Sequence, residues 1–305
     1  MSGNYTAYHV HTELSLLDSA TKFEDYIAKA VELGQTAIAF TEHGNIYQWV
    51  AKKMACDKAG LKYLHGCEIY LTEDLLLPPD PKGVQKQVME ELALREKSKE
   101  LTLAAQESLS QRLYEAMIAA NYQEEPDPGS FIDEVEPAEL EPDNFAEQRF
   151  AELMEAGKRK VRDNYHTILI AKNYAGLQEM NELISRSSQD DHFYYKPRIT
   201  FDEFLGISSN VIKISACLAS PLNRMSITHP MYERLLKHYD YLEIQAHDHP
   251  EQVAYNRHLA EMSQKYGIPL IAGTDTHSLN KYKAECRTIL QLSKHIEFAD
   301  EYTFD

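Results

Sequence analysis

The sequence predicts an α/β fold in which alternating strands and helices build one large barrel domain. Two observations support this prediction. Apolar runs of strand length alternate with helical segments before residue 75 and again after residue 165. Segments that carry His, Asp, Glu or Cys then follow these runs in order along the chain. Repeated strand–helix units are typical of parallel sheets, and seven of them favour a closed barrel over an open sheet.

The first 75 residues contain three predicted strands and two predicted helices. The strands cover residues 5–11, 36–41 and 62–71, and the helices cover residues 21–33 and 47–59. In the first helix, Thr21 and Glu24 match a capping box, and Gly34 marks the end. The second strand is apolar throughout, as expected for a strand that is covered on both faces.

Residues 78–161 interrupt this alternation. Residues 86–120 are rich in Leu, Ala, Glu, Lys and Gln, which favours long helices, whereas residues 124–143 combine prolines with acids and predict a loop or disorder. A short helix is expected at 145–161. Residues 124–155 carry a net charge of −11 out of −17 for the whole chain. We interpret 78–161 as a helical, acidic insertion in a single barrel domain 1–305, most simply a solvated excursion.

Alternation resumes after the insertion and completes the predicted barrel. The strands are 166–171, 211–215, 241–245 and 268–273, and the helices are 174–187, 231–239, 250–266 and 281–293. Three strands before the insertion and four after it give seven. Functional groups of such barrels lie at the carboxyl ends of the strands, so we expect every ligand-type side chain there.

Composition limits the classes of function. The sequence has no apolar stretch long enough for a bilayer, its first residues do not show the basic and apolar pattern of a leader, and its four cysteines form no CxxC pair. These features predict a soluble, cytoplasmic protein with reduced thiols and no membrane contact. The net charge of −17 argues against a broad nucleic-acid-binding surface. Because most of that charge belongs to the insertion, a phosphate substrate at a metal site elsewhere is not excluded.

Two tripeptide patterns, His-x-His and Asp-x-His, carry the metal-site prediction. His9 and His11 are two residues apart on a predicted strand, so their side chains leave the same face. Asp275 and His277 repeat this spacing at the last strand. Imidazole and carboxylate groups suit zinc, manganese or iron. A lone His-x-His is more often structural, but its combination with the Asp-x-His pattern favours a metal site. Further candidates in register at strand ends are His43, Glu68 and His166.

Three further residues have a competing structural interpretation. Glu68 can bridge two metals about 3.5–4 Å apart, or form a salt bridge at a strand end. Cys217 can be a ligand, although a buried apolar thiol is the commoner role. Asp18 can be a ligand or an acid placed before the helix that follows it.

Eight motifs together resemble one family. They are 8–18 (YHVHTELSLLD), 41–45 (TEHGN), 66–70 (GCEIY), 166–173, 193–199 (FYYKPRI), 215–218 (SACL), 242–245 (LEIQ) and 275–277 (DTH). In these motifs the chain resembles the PHP (polymerase and histidinol phosphatase) domain family, most closely the N-terminal PHP domains of bacterial DNA polymerase III alpha subunits. The resemblance covers nearly the whole chain outside 78–161, and the FYYKPR run is typical of the polymerase branch.

The resemblance implies a distorted seven-stranded (β/α)7 TIM-like barrel that holds two to three divalent ions. One ion would be held by His9, His11, Glu68 and Asp275, which we expect to be catalytic. A second would use Glu68, His166 and Cys217, and a third would use Asp18, His43 and His277. All nine ligand positions are filled. Glu42 stands where the family usually has Asp. Candidate phosphate contacts are Lys196, Arg198 and Arg224, with surface charge as the alternative, and His247 and His249 are expected at the rim.

The implied function is a metal-dependent phosphoesterase. In the polymerase branch this implies a 3′–5′ exonuclease that acts on single-stranded or primer-end DNA, with a polymerase or replisome subunit as partner. Since no polymerase region follows the last motif, the chain is expected to be a stand-alone relative or a piece of a polymerase subunit. Two alternatives stay open: a non-catalytic, metal-stabilised docking module of a polymerase complex, and a small-molecule phosphatase of the histidinol-phosphate type. The FYYKPR motif favours DNA, and the net charge favours the small substrate.

Overall fold

The computed structural model describes residues 5–119, 144–293 and 303–304. The chain divides into two compact units. Unit 1 comprises Met1–Leu75 and Val161–Asp305, and unit 2 comprises Leu76–Lys160. In the described ranges no helix combines the length and apolar character needed to cross a bilayer.

Strands and helices alternate over most of unit 1. The strands of the chain are β1 (Ala37–Phe40), β2 (Lys62–Thr72), β3 (Leu76–Leu77), β4 (Arg159–Lys160), β5 (Tyr165–Ala171), β6 (Arg198–Thr200), β7 (Val211–Ile214), β8 (Leu242–Gln245) and β9 (Leu270–Gly273). The helices are α1 (Phe23–Glu32), α2 (Trp49–Ala59), α3 (Pro81–Ala119), α4 (Phe145–Ala156), α5 (Tyr174–Ser187), α6 (Phe201–Leu205), α7 (Pro221–Arg224), α8 (Tyr232–His238), α9 (Pro250–Tyr266) and α10 (Lys281–Leu292).

The main sheet of unit 1 is mixed, which corrects the prediction of a parallel sheet. Its order is β1-β2-β5-β7, with β6 also paired to β2. β1 and β6 run parallel to β2, whereas β5 runs antiparallel to both β2 and β7. The reason lies where the chain leaves unit 1 and where it returns to it. The backbone N–H of Val161 donates to the carbonyl of Leu75 (3.2 Å), so the chain re-enters unit 1 beside the point where it left. It therefore runs back along β2 without a crossover.

Among the described residues, the strand ladders do not close into a barrel. β8 and β9 form a separate parallel pair. The predicted first strand, 5–11, is not a regular strand, and only isolated bridges join Ala7 to Ile38 and Val10 to Thr276. A third isolated bridge joins Ile214 to Tyr241. The observed architecture is thus a mixed α/β fold, and the predicted TIM-like barrel is not confirmed.

The alternation of β2 separates the core from the inner face of the sheet. Cys67, Ile69 and Leu71 point into a large apolar cluster, whereas Glu68 points to the opposite face. Helices α5, α6, α8 and α9 cover the cluster. Their buried contributions include Met180, Phe204, Leu235 and Leu259. Full burial of each such side chain stabilises the fold by about 1.5–3 kcal/mol. The core thus fixes the strand from which Glu68 projects.

The start of α1 differs from its prediction. The N-cap residue is Lys22, without a side-chain cap. Thr21 is buried, and its hydroxyl accepts a hydrogen bond from the backbone N–H of Leu279 (3.1 Å). Because this long-range contact occupies the hydroxyl, the capping box expected for Thr21 and Glu24 does not form.

Unit 2 consists of the short antiparallel pair β3–β4 and the helices α3 and α4. Arg149 on α4 lies 2.7 Å from Glu91 on α3. The guanidinium of Arg95 lies 3.9 Å from the ring centroid of Phe145. The acidic segment that was predicted as a loop, 124–143, lies outside the described residues.

Candidate metal centre

Side chains from distant parts of unit 1 meet at the inner face of the sheet. His9 and His11 precede α1, His43 follows β1, Glu68 lies within β2, and Asp275 follows β9. His166 corrects the expectation that all ligands lie at carboxyl ends of strands, because it is the second residue of β5. It pairs with Tyr70 in the antiparallel ladder, so the reversed direction of β5 brings it to the same place.

The first group of side chains is the one expected for the first ion. Nε2 of His9 lies 2.9 Å from Oε2 of Glu68 and 3.0 Å from Oδ1 of Asp275. Nε2 of His11 lies 3.3 Å from Oδ1 of Asp275 and 3.4 Å from Oε2 of Glu68. All four ligand atoms lie within 4.8 Å of one another.

Two atoms in this group test whether a cation fits. Nε2 of His11 and Oδ1 of Asp275 are buried and have no hydrogen-bond partner among the described residues. Buried polar atoms are normally satisfied, and an unsatisfied one costs about 1–3 kcal/mol. A metal ion would satisfy both atoms, so the donor set fits an ion.

Glu68 connects this group to a second one. Its Oε2 faces His9 and His11, while its Oε1 lies 3.2 Å from Nδ1 of His43 and contacts Nδ1 of His166. The second compact group is therefore His43, Glu68 and His166. The expected third member, Cys217, lies beside this group, with Sγ 3.8 Å from Nδ1 of His166.

A third group contains His11, His43 and His277. The ring of His11 stacks on those of His43 (4.1 Å) and His277 (4.2 Å). Oδ2 of Asp18 lies 2.8 Å from Nε2 of His43 and 3.3 Å from Nε2 of His277. Asp18, His43 and His277, the set that the resemblance implied for a third ion, are thus in contact.

The three groups share residues and form one cluster of metal-ligand-type side chains, called here the cluster. Its electrostatics keep its carboxylates ionised. Burial alone would raise the pKa of Glu68, but His166 and His43 hold it well below its usual range. The pKa of Asp275 is lowered in the same way, because His9 and His277 outweigh its burial. Burial would lower the pKa of His43, yet Glu68 and Asp18 raise it to about 9. Ionised acids are the form in which carboxylates bind metals.

The backbone is left-handed at three points beside the cluster. Asp275 itself has φ of 49°, and Ala216 and Leu17, which precede Cys217 and Asp18, have φ of 60° and 62°. Asp tolerates this conformation, whereas Ala and Leu rarely adopt it. Such strain is concentrated at functional sites, where surrounding contacts fix it.

Two buried residues near the cluster were not assigned a metal-binding or catalytic role from the sequence. Glu243 lies 2.7 Å from Nδ1 of His9, and it accepts hydrogen bonds from the hydroxyl of Tyr8 (3.0 Å) and the amide of Gln245 (2.7 Å). Its position directly after an apolar run was the available signal. Arg287 donates to the carbonyl of Asp18 (2.6 Å) and to its Oδ1 (3.0 Å). Nothing in the helical pattern of α10 distinguishes Arg287.

The three predicted phosphate contacts have different surroundings. Lys196 lines a cavity that opens over the cluster. Arg198 does not fit the predicted contact, because it is fully buried and donates to the backbone carbonyls of His192 (3.2 Å) and Val161. Arg224 is exposed at the end of α7, and it is not among the described residues that line the cavity.

Glu42 supports the cluster from behind. It accepts hydrogen bonds from the hydroxyls of Thr12 (2.6 Å) and Ser15 (2.5 Å), and it lies 2.6 Å from Nζ of Lys52. The hydroxyl of Ser15 is also 3.0 Å from Nδ1 of His11. Glu42 therefore anchors the loop that carries His11.

A cavity of about 900 Å³ opens over the cluster. Cluster residues that line it include Asp18, His43, His166, Cys217, Asp275 and His277. Residues 247–249 (His-Asp-His) also line it, which agrees with the rim position expected for both histidines. The Lys and Arg side chains in its described lining are Lys196 and Arg287. This volume lies within the range of ligand sites.

The chain is similar in sequence to known proteins over most of its length. The chain is similar to DNA polymerase III subunit alpha of Aquifex aeolicus (27% identity, 95% of this chain and 20% of the relative). It is also similar to the subunit of the same name from Borreliella burgdorferi (25% identity, 92% of this chain and 19% of the relative). The chain thus spans about a fifth of the length of these relatives.

Two solved structures are similar to the chain at lower sequence identity. One is a protein from Bifidobacterium adolescentis described as a candidate metal-dependent phosphoesterase (17% identity, TM-score 0.41, 90% of this chain and 87% of that chain). Another is a two-domain protein from Bacteroides vulgatus that contains a predicted PHP-like metal-dependent phosphoesterase (11% identity, TM-score 0.43, 94% of this chain and 55% of that chain). The family model for the PHP domain matches residues 7–247, most of the chain. The chain therefore belongs to the PHP domain family.

Proposed function

We propose that the protein is a metal-dependent phosphoesterase and that the cluster is its active centre. The observation that carries this proposal is the convergence of inward-facing donors, with His11 Nε2 and Asp275 Oδ1 buried, 3.3 Å apart and without a hydrogen-bond partner among the described residues. The proposed ligands are His9, His11, Asp18, His43, Glu68, His166, Cys217, Asp275 and His277. Two to three divalent ions, of zinc, manganese or iron, would supply an activated water and offset charge on the phosphoryl oxygens.

The side chains have distinct tasks in this proposal. His9, His11 and Asp275 would hold one ion, and Glu68 could contribute to this ion and to a second one. Glu243 orients the ring of His9, and Arg287 orients the carboxylate of Asp18. Because these supports are buried, the donors are fixed before a substrate arrives. Lys196 is placed at the cavity wall, where an ammonium group can contact a phosphate.

The proposed substrate is the 3′ end of single-stranded or primer DNA, which makes the reaction a 3′–5′ exonuclease step. The support is the similarity over most of this chain to DNA polymerase III alpha subunits. A polymerase or another replication protein is the partner that this similarity suggests.

A related proposal concerns the fold. The isolated bridges at Ala7, Val10 and Ile214 lie where a seven-membered barrel needs its missing pairings. We propose that these pairings complete a distorted barrel and that 78–161 is an insertion into that single domain.

A small phosphomonoester is the second candidate substrate. One observation favours it: the Lys and Arg groups in the described cavity lining are confined to Lys196 and Arg287, and Arg287 is engaged with Asp18. A long nucleic-acid strand normally meets a more extended basic surface.

Metal analysis joined to cleavage assays tests these proposals. The purified chain is analysed for bound metal and then incubated with labelled single-stranded DNA, DNA with a mismatched 3′ end and a simple phosphomonoester. We expect bound metal, and release of 3′-terminal nucleotides that falls at least a hundredfold in His11→Ala. His229→Ala, a change near Glu73 and outside the cluster, is the control. A metal-loaded protein that cleaves no phosphoester would favour a docking module instead.

A further inference from the structure

We propose that a second, smaller cavity beside the cluster is a subsite that stacks the terminal nucleobase of a nucleic-acid strand. This inference rests on the proposed function and specifies how the substrate is recognised. The cavity, called here the side cavity, measures about 290 Å³. Its wall includes Leu16, Tyr47, Phe193, Lys196 and Pro197.

The side cavity adjoins the cavity of about 900 Å³ over the cluster, called here the main cavity, at shared residues. Asp18, His43 and Lys196 line both of them. His43 belongs to two of the three donor groups, so its ring forms part of both the cluster and the wall of the side cavity. A group in the side cavity therefore lies against the ring of His43, which is itself one of the proposed metal donors.

The wall of the side cavity includes several exposed apolar side chains. Tyr47 is 54% exposed, Phe193 is 45% exposed and Leu16 is 66% exposed. Single exposed apolar residues are ordinary, but several around one cavity mark a binding site. Aromatic faces stack on any base, because every base has a π-face, and this interaction is sequence-tolerant.

The distribution of charge separates a base site from a phosphate site. Among the described lining residues, the Lys or Arg group of the side cavity is Lys196, which stands at its border with the main cavity. Nζ of Lys196 lies 3.2 Å from the hydroxyl of Tyr70 and 5.1 Å from its ring centroid. A phosphate is thus best placed between Lys196 and the cluster, and the uncharged base beyond it. The volume is near the lower limit of small-molecule sites, which suits one ring system.

The loop that carries Tyr47 is fixed before any ligand binds. Gly44 has φ of 65°, and a Cβ at this position would lie 2.5 Å from Cγ of Pro197. Glycine thus allows the loop to pack closely against the wall that holds Lys196. The side chain of Asn45 donates to the carbonyl of Leu14 (3.1 Å) and accepts from the backbone N–H of Tyr47 (3.0 Å). A fixed loop loses little entropy on binding, which favours specific recognition.

Paired normal and abasic oligonucleotides test the subsite. The full chain, loaded with Mn²⁺, is assayed on a short single-stranded DNA and on the same DNA with an abasic 3′-terminal residue. For the double variant Tyr47→Ala/Phe193→Ala, we expect kcat/KM on normal DNA to fall at least tenfold, mainly through KM. Activity on the abasic DNA should change less than twofold. Tyr282→Ala, which removes a 69% exposed tyrosine from α10, is the matched control.

Binding of the same fluorescent oligonucleotides, without turnover, separates this inference from the proposed function. Metal-free wild-type protein should bind the normal end at least fivefold more tightly than the abasic end, and the double variant should bind both alike. Equal affinity of the wild type for both ends would overturn the subsite, even if the protein cleaves DNA. Absence of cleavage together with a preference for the normal end would overturn the phosphoesterase and keep the subsite. Thermal unfolding confirms that the variants fold.

Discussion

Nδ1 of His9 lies 2.7 Å from Oε1 of Glu243, and both side chains are fully buried. This contact turns the opposite ring nitrogen of His9 toward Glu68 and Asp275. A carboxylate behind a metal-binding imidazole fixes its orientation and raises its basicity. Tyr8 and Gln245 hold the carboxylate of Glu243 in turn. The relationship makes Glu243 a positioning residue, which acts through His9.

Glu243→Gln should therefore weaken metal binding without unfolding the protein. The amide keeps the shape of the side chain but removes the negative charge behind His9. Loss of such a support typically lowers metal affinity about 10–100-fold. Competition with a chromogenic chelator measures this affinity. The control is Glu251→Gln on α9. Glu251 accepts a hydrogen bond from the side chain of Asn223 outside the cluster, so this variant should bind metal as the wild type does. Unchanged affinity in Glu243→Gln would refute the positioning role.

Gly273→Ala should disturb the same contact between His9 and Glu243, because it adds a methyl group beside Glu243. A Cβ at this position would lie 2.4 Å from Cδ of Glu243 and 2.7 Å from the hydroxyl oxygen of Tyr8. Both groups are buried, so the carboxylate must move away from His9. We expect metal affinity to fall at least tenfold. Gly83→Ala, where the new Cβ would meet Asp80 at 3.4 Å, is the matched substitution and should have no effect on metal. Full metal affinity in Gly273→Ala would show that the site tolerates this displacement.

Lys52→Met should destabilise the protein strongly. Lys52 and Glu42 form a 2.6 Å ion pair with 2% and 1% of the side chains exposed. Burial raises the pKa of Glu42, and Lys52 is the main group that brings it down again. Removal of Lys52 leaves a buried carboxylate unpaired, which typically costs about 3–5 kcal/mol. Urea unfolding measures the loss. The double variant Lys52→Met/Glu42→Gln should recover part of it, and equal stability of the single and double variants would contradict this account.

The sequence indicated which side chains lie together better than it indicated the path of the chain between them. The His-x-His and Asp-x-His spacings singled out His9, His11, Asp275 and His277, and these side chains lie close together in the structure, although 5–11 is not a regular strand. The direction of β5 was not predictable, because it depends on where the chain re-enters after 85 intervening residues of a separate unit. Arg198 and Arg287 show the same limit. Their helical or strand positions carry no sign of whether a guanidinium faces solvent, a carbonyl or Asp18.

His65 makes folding stability depend on pH outside the metal cluster. The side chain is 4% exposed, and its ring nitrogens lie 3.2 Å from the hydroxyl of Tyr63 and 3.2 Å from Oδ1 of Asn181. Burial lowers the pKa of His65 to about 4. The pKa of His65 in the unfolded chain is about 6.5. Between pH 6.5 and 4, His65 therefore binds a proton in the unfolded chain but not in the folded chain. The contribution of neutral His65 to the free energy of unfolding is fully present above pH 6.5 and is lost as the pH falls from 6.5 to 4.

A comparison with His65→Gln isolates this effect, because other titrating groups are common to both proteins. Urea unfolding of the chelator-treated proteins gives the free energy of unfolding at pH 7.5 and pH 5. We expect the wild type to lose about 2 kcal/mol more than His65→Gln between these two values. The variant removes the titrating group while an amide can still contact Asn181. If both proteins lose the same stability, His65 binds a proton as readily in the folded chain as in the unfolded chain, and its burial does not control the pH response.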